Sequence, residues 1–188
     1  MILQNRNDLF QVEFPRVFIP NYIKERYNPY VFRMPTAVTD ISDLVNYSIQ
    51  SITIPNFNFS PVEQTKPGNW PQAKGTTRRF RQSLGMETLI DRNFTVTFQL
   101  LDGNINYWIL LETFFHYYSY ETKAPYTMHV PLHILDAEGI RMYTVTFKDV
   151  MFTGLNQFTM SYSEITPEFR TFEANFAFNE INMDFQTQ

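Results

Sequence analysis

The chain has 188 residues, 44% hydrophobic and 17% aromatic, with 19 Phe, 11 Tyr, 18% charged residues and a net charge of −4. That length gives one domain, with room for a long insertion, and the charge fraction lies below the about 25% usual for soluble proteins. The absence of cysteine excludes a disulfide framework, a thiolate zinc site and a Cys nucleophile and fits a reducing cytoplasm, and the negative balance gives no general reason to expect nucleic-acid binding.

From the N-terminus, residues Met1 to Asp8 lack the apolar core of a signal peptide. The longest apolar run, Tyr107 to Leu111, is far short of the roughly 20 residues a membrane helix needs. Leu9 to Phe14 alternates Phe10, Val12 and Phe14 against Leu9, Gln11 and Glu13, which predicts an opening strand. Residues 15–46 then carry Pro15, Pro20, Pro29 and Pro35 and read as an irregular segment. Proline cannot donate to a ladder, so only short edge strands such as Tyr30 to Met34 are expected there. Asp40 to Val45 reads as a turn or a short helical piece. Tyr47 to Ile54 predicts a strand stopped by Pro55, and its apolar parity slips between Ile49 and Ile52 as at a bulge.

Residues 56–92 break the pattern. They hold six basic residues (Lys66, Lys74, Arg78, Arg79, Arg81, Arg92) and three acidic ones (Glu63, Glu87, Asp91), so this stretch is positive while the rest of the chain is strongly negative. With Pro61, Pro67 and Pro71 and an isolated Trp70, it reads as a projecting loop or hairpin arm rather than a second domain. Asn93 to Leu100 is the cleanest strand, with Phe94, Val96, Phe98 and Leu100 on one face and Thr95, Thr97 and Gln99 on the other. Residues 105–120 predict one helix with a stripe of Tyr107, Leu110, Leu111, Phe114 and Tyr118. Its remaining surface is also apolar, which suits either a well-buried helix or one that packs on another subunit.

Further strands are expected from Tyr126 to Ile134 and from Arg141 to Val150, joined by a tight turn at Asp136 to Gly139. Met151 to Gly154 reads as the end of that hairpin, Gln157 to Ser161 as a brief pairing, and Ser163 to Pro167 as a loop. The closing strand, Arg170 to Phe185, places Phe172, Ala174, Phe176 and Phe178 on one face. Ile181, Met183 and Phe185 take the other parity, so it bends or bulges near Glu180. The expected fold is mainly β: an antiparallel sandwich or barrel with one α-helix covering an opening.

Chemistry is sparse. His129 and His133 lie four apart on an expected strand, where that spacing spans roughly 13 Å, too far to share an ion. His116 falls on the aromatic helix and reads as a packing residue. Asp136 and Glu138 suit turn geometry and are too few to hold calcium. Glu164 and Glu168 read as solvated loop residues. No nucleophile elbow or phosphate-binding glycine loop occurs. No catalytic residue, metal or cofactor is expected. The strongest charge feature is Arg78-Arg-Phe-Arg81 with Lys74 upstream. It reads as a self-assembly contact, an ordinary solvated loop, or a single-stranded nucleic-acid contact.

The order of pieces resembles the bacteriophage tail tube protein family, the inner tube of contractile tails and related injection systems. The opening Arg6 to Phe14 is similar to the family's first strand, with its Leu-Phe pair, Val-Glu and an apolar residue. Ile49 to Pro55 resembles the second strand and its terminal apolar-Pro pair. Phe94 to Phe98 followed by the 105–120 helix resembles the central strand and long helix. Ile134 to Gly139 with Phe147 to Phe152, and Thr171 to Phe178, resemble the late hairpin and closing strand. The resemblance covers most of the chain. The Pro-rich 15–46 and the basic 56–92 are longer than the pattern requires.

The resemblance implies a single tail-tube-like domain over residues 1–188 that forms six-fold rings, stacked into a virion tail tube. Genomic DNA would pass through without specific binding. Implied partners are further copies and sheath, baseplate or neck proteins, with assembly in the host cytoplasm and no membrane contact. A tube-initiator, baseplate or neck ring of the same fold is the alternative role. Ring stacking is expected through the arm (Lys74, Arg78, Arg79, Phe80, Arg81 and Trp70), and the channel lining through Thr95, Thr97 and Gln99. Two other readings stay open: a β-sandwich binding module with Trp70 and the tyrosines as a stacking platform, and a nucleic-acid-binding barrel using Lys74 and Arg78 to Arg81.

Overall fold

A computed structural model describes residues 9–31, 38, 40–55, 92–119, 127–158 and 170–185, with the backbone of 62–64 and 78–80. Pro55–Arg92 forms one compact unit, and Met1–Ile54 with Asn93–Gln188 forms the other.

The larger unit is built on a seven-stranded antiparallel sheet. Its strands are β1 (Phe10–Val12), β2 (Ile49–Thr53), β5 (Asn93–Gln99), β6 (Met128–Leu135), β7 (Arg141–Leu155), β8 (Thr171–Ala177) and β9 (Glu180–Phe185). They are ordered β1-β6-β7-β8-β5-β2, with β9 also paired to β7. Strict alternation places Phe94, Val96 and Phe98 of β5 opposite Phe176, Ala174 and Phe172 of β8, all buried. Their rings stack across the ladder: Phe94 lies 5.2 Å from Phe176 and Phe98 lies 5.3 Å from Phe172. Phe147, Phe152, Phe14 and Phe18 extend the cluster, with Phe94–Phe147 at 4.6 Å and Phe14–Phe176 at 5.1 Å. Burying each phenyl contributes about 1.5–3 kcal/mol, and each ring pair about 0.5–1.5 kcal/mol more. Among the described residues, nine of the chain's 19 Phe are buried in this core.

The β6–β7 hairpin turns at Asp136. Its Oδ1 accepts from the backbone N–H groups of Glu138 (2.9 Å) and Ile140 (2.8 Å), and Gly139 takes φ +82°. β7 continues beyond the expected Val150 through Met151 to Gly154, read as the end of the hairpin, to Leu155, because its far half pairs with β8 from Met151↔Ala177 to Leu155↔Ala174. Its near half pairs with β9, from Tyr143↔Phe185 to Lys148↔Glu180. The long closing strand is thus two strands on one edge of β7, with a register shift in the β8 half between Phe152 and Gly154. The change of apolar parity near Glu180 has a twin in β7, where Phe147 and Val150 are both buried. Between them Asp149 adopts φ +52°, a left-handed kink that re-aims the sheet. The bulge expected in β2 is present as a register shift between Ile49 and Ser51.

Three α-helices occur among the described residues, not one. Residues 21–31, expected to be irregular with an edge strand from Tyr30, form α1 (Asn21–Val31). It starts where the Pro20 carbonyl accepts from Ile23 and Lys24, both at 3.1 Å. Pro29 removes one helix bond, but the carbonyl it leaves unpaired belongs to Glu25, an exposed residue that water can reach. Buried Ile23 and Val31, with half-buried Tyr27 between them, make a helical stripe that outweighs the proline. The short helical piece at Asp40 is α2 (Ile41–Tyr47), which buries Ile41, Leu44 and Val45. Asp40 caps it, accepting from the Ser42 N–H at 2.8 Å. Burial alone would raise the Asp40 pKa. The Ser42 N–H, the Lys24 ammonium (3.7 Å away) and Arg16 overcome that and hold it below the ordinary value.

The third helix, α3 (Ile105–Tyr118), lies within the expected span, but its buried stripe is Ile105, Asn106, Ile109, Leu110 and Thr113. Of the anticipated stripe only Leu110 is fully buried; Tyr107, Leu111 and Phe114 are half-buried and Tyr118 is exposed. The polar members can be buried because each is satisfied. Asn106 donates to the Gln99 carbonyl (2.6 Å) and accepts from the Leu101 N–H (3.2 Å), tying α3 to β5. The Thr113 hydroxyl donates to the Ile109 carbonyl (2.8 Å). Gln157 and Phe158 lie outside any strand. Residues 159–169, which include the expected loop with Glu164 and Glu168, lie outside the described residues.

Candidate assembly surfaces

The face of β5 opposite the phenyl core carries Thr95, Thr97 and Gln99, all half-buried. Register places Ser51 and Thr53 of β2 beside Thr97 and Thr95 on one side. On the other side Thr171, Glu173 and Asn175 of β8 lie beside Gln99, Thr97 and Thr95. The polar groups bond to one another. The Thr95 hydroxyl donates to Asn175 Oδ1 (2.9 Å), Asn175 Nδ2 to Asn156 Oδ1 (3.1 Å), and Asn156 Nδ2 to Glu173 Oε2 (2.7 Å). The three strands therefore present a hydroxyl- and amide-rich surface whose one charge, at these positions, is the Glu173 carboxylate.

The basic segment contains a short antiparallel pair, β3 (Val62–Gln64) with β4 (Arg78–Phe80). Val62 faces Phe80, Glu63 faces Arg79 and Gln64 faces Arg78 in register. This pair sets opposite charges at the Glu63 and Arg79 register positions. Lys74, Arg81 and Trp70 lie outside the described residues.

α1 and α3 are joined by a polar clasp that the sequence did not disclose. Arg26 Nη1 donates to both carboxylate oxygens of Glu112, at 2.9 and 3.0 Å, and the Tyr27 hydroxyl donates to Oε1 at 2.9 Å. Burial first, and then the Glu112 hydrogen bond, push the Tyr27 phenol up to about 12. The Glu112 hydrogen bond and charge likewise raise the Arg26 guanidinium. The partners are more than eighty residues apart in sequence, and no local motif marks such a pair.

Exposed large apolar side chains are spread over several elements, α3 and β9 among them. α3 shows Trp108, Phe115 and Tyr118, and the β9 edge shows Met183 and Phe185. The histidines are dispersed. His129 is exposed on β6, whereas His133 is buried, 2.9 Å from the Thr144 hydroxyl and 3.8 Å from the Glu13 carboxylate. Burial, reinforced by Arg141, lowers the His133 pKa. His116 is half-buried against the Tyr22 ring at 5.4 Å. Among the described residues no three His, Asp or Glu side chains cluster as metal ligands, and no helix is long and apolar enough to cross a membrane.

No protein-family model matches the chain, and no curated protein matches it by sequence. Solved structures do. A chain of the anti-feeding prophage tube-terminating cap superposes with a TM-score of 0.52 at 10% identity, covering 99% of this chain and 94% of that one. A chain of the anti-feeding prophage baseplate gives 0.48 at 7% identity, over 97% and 95%. One from the sheath–tube complex of an extracellular contractile injection system gives 0.45 at 11%, over 73% and 81%. At 10% identity the first match establishes a shared fold; the other two, below 0.5, add no weight. The tail-tube-like fold implied by the order of sequence segments is the fold of this chain.

Proposed function

We propose that the chain is a structural subunit of the tube of a phage tail or related contractile injection particle, assembling into six-fold rings that stack. The observation that carries this reading is the end-to-end structural match to a tube-terminating cap, over 99% of this chain and 94% of that one. The strands β1, β2 and β9, each paired on one side only among the described residues, and exposed aromatic residues on α3 support it. Unpaired edges and large apolar side chains are the features that association between copies removes from water. The role is structural, with no chemistry assigned to any residue. Its partners are further copies of the chain and the sheath, baseplate or neck components beside them, in a particle assembled in the host cytoplasm.

The Thr95, Thr97 and Gln99 face lines the channel in this proposal. Affinity for DNA rises steeply with each phosphate that Lys or Arg neutralises. A surface of hydroxyls and amides with one carboxylate therefore lets genomic DNA slide rather than bind. The positive arm, with Arg78, Arg79 and Phe80 in β4 and Lys74, Arg81 and Trp70 elsewhere in its sequence, joins one ring to the next. A second reading, a ring that closes or starts the tube, is favoured by the same match. That match is to a terminating cap, and its coverage includes residues 15–46 and 56–92, which a minimal tube subunit would not need.

Sedimentation and negative-stain microscopy test the proposal. Hexamers or larger rings are expected at micromolar concentration, with long tubes for a tube subunit and single rings for a terminating one. A monomer at every concentration and salt would refute both. Replacing Arg78, Arg79 and Arg81 with Glu is expected to leave the circular dichroism spectrum unchanged and abolish stacking. Tight, salt-sensitive DNA binding by assembled particles would contradict the channel assignment.

A further inference from the structure

Beside the clasp, α1, α3 and the turn before α3 enclose an open cleft of about 500 Å³. Its lining includes Arg26, Tyr27, Tyr30, Asp102, Trp108 and Glu112. Two aromatic side chains stand exposed in it, Tyr30 at 56% and Trp108 at 42%. The two carboxylates differ. Glu112 already accepts from Arg26 and Tyr27. Asp102 is exposed and makes no ion pair among the described residues. Aromatic faces beside an unengaged carboxylate match one side chain above others. A guanidinium stacks on such rings while its fork donates to the carboxylate. Arg26, held by Glu112, shows that the cleft tolerates that group at its rim.

The chain carries a matching ligand. Arg78 and Arg79 sit in an extended strand with Phe80, and Arg81 follows in sequence. Residues 56–92 are net positive and the rest of the chain is net negative, so attraction between one copy's arm and another copy's larger unit follows from composition. We propose that the cleft between α1 and α3 is the receptor for the β4 strand of a second copy of this chain, with an arginine seated between Trp108 and Tyr30 against Asp102. This rests on the reading of the arm as a contact between copies and names the surface it grips.

The absence of native cysteine makes the test direct. Asp102→Cys and Arg79→Cys are made in separate full-length chains and checked by circular dichroism. They are then mixed with a bis-maleimide whose span matches an arginine side chain. A covalent heterodimer well above either variant alone is expected, and it should be lost when Trp108→Ala is added to the Asp102→Cys chain. In an independent arm, Asp102→Lys raises the concentration needed for assembly several-fold, and adding Arg79→Glu to the same chain lowers it again. No heterodimer, or a heterodimer indifferent to Trp108→Ala, overturns the proposal. So does internal cross-linking of a monomer carrying both cysteines, which would mean that the arm docks on its own chain. Rings that form without the cross-link sink the receptor and leave the ring proposal standing. A cross-linked pair from a protein that never forms rings does the reverse.

Discussion

β8 and β9 lie end to end on the same edge of β7, and each alternates apolar with polar residues, yet they end differently. Phe172, Ala174 and Phe176 of β8 are buried against the β5 phenyl groups. On β9, Met183 and Phe185 face the same side as Val145 and Tyr143 but stay 52% and 69% exposed. Alternation therefore states which face of a strand is apolar and nothing about what covers it. Among the described residues, β8 has β5 as its second neighbour in the sheet, whereas β9 has β7 alone. The uncovered length is apolar surface that a lone subunit leaves in water.

The largest expected contrast comes from Phe176→Ala. Its ring stacks on Phe94 and Phe152 and lies tilted against Phe14, so removal should cost about 3–5 kcal/mol in chemical denaturation. A loss below that range would mean the core collapses around the site, and β8 would then differ less from β9 than its burial implies. Asp149→Val strikes the joint between the two halves of β7. A β-branched residue at φ +52° should cost about 1–2 kcal/mol, whereas Asp149→Gly should be close to neutral. Equal effects of the two would show that the kink is not what divides the strands.

Asp40→Ala calibrates both against a covered element elsewhere, and should cost about 1 kcal/mol at neutral pH. Its sign with pH is fixed. The folded pKa is lowered, so the Asp40 contribution is complete above the ordinary carboxylate value and is lost as pH falls through the folded one. Wild type and variant should therefore converge in acid denaturation curves at low pH. Phe185→Ser should be the smallest, within about 0.5 kcal/mol for the isolated subunit, while weakening association in sedimentation. A large loss of subunit stability would show that β9 is covered after all.

Much of this was legible in advance because the strands alternate cleanly. Phe94, Val96 and Phe98, the Asp136 turn, the β2 bulge and the parity change near Glu180 all follow from a period of two. What was missed has specific causes. Four prolines make 15–46 read as irregular with short edge strands, which hides the Ile23, Tyr27 and Val31 stripe of α1. α3 was misphased because Asn106 and Thr113 look polar in sequence, and only their hydrogen bonds make them core. The candidate polar face is set by β5 and was readable. The clasp of Arg26, Tyr27 and Glu112 joins distant segments and leaves no periodic trace.

The order β1-β6-β7-β8-β5-β2 also bears on the speed at which this chain reaches its native state. Among the described strands of the sheet, only β6 and β7 are joined by a tight turn. β1 must find β6 across most of the sequence, β2 must find β5 across the whole basic unit, and β5 must find β8 across α3 and the hairpin. Such distant pairings require loop closure before any contact rewards it, so folding should fall on the slow, millisecond-to-second side of single-domain rates. Until β8 closes on β5, the phenyl side chains of both strands stand open beside β9. The interval before closure is when newly made chains are most prone to associate wrongly, and a chaperone or rapid capture by neighbouring copies would have its greatest effect there.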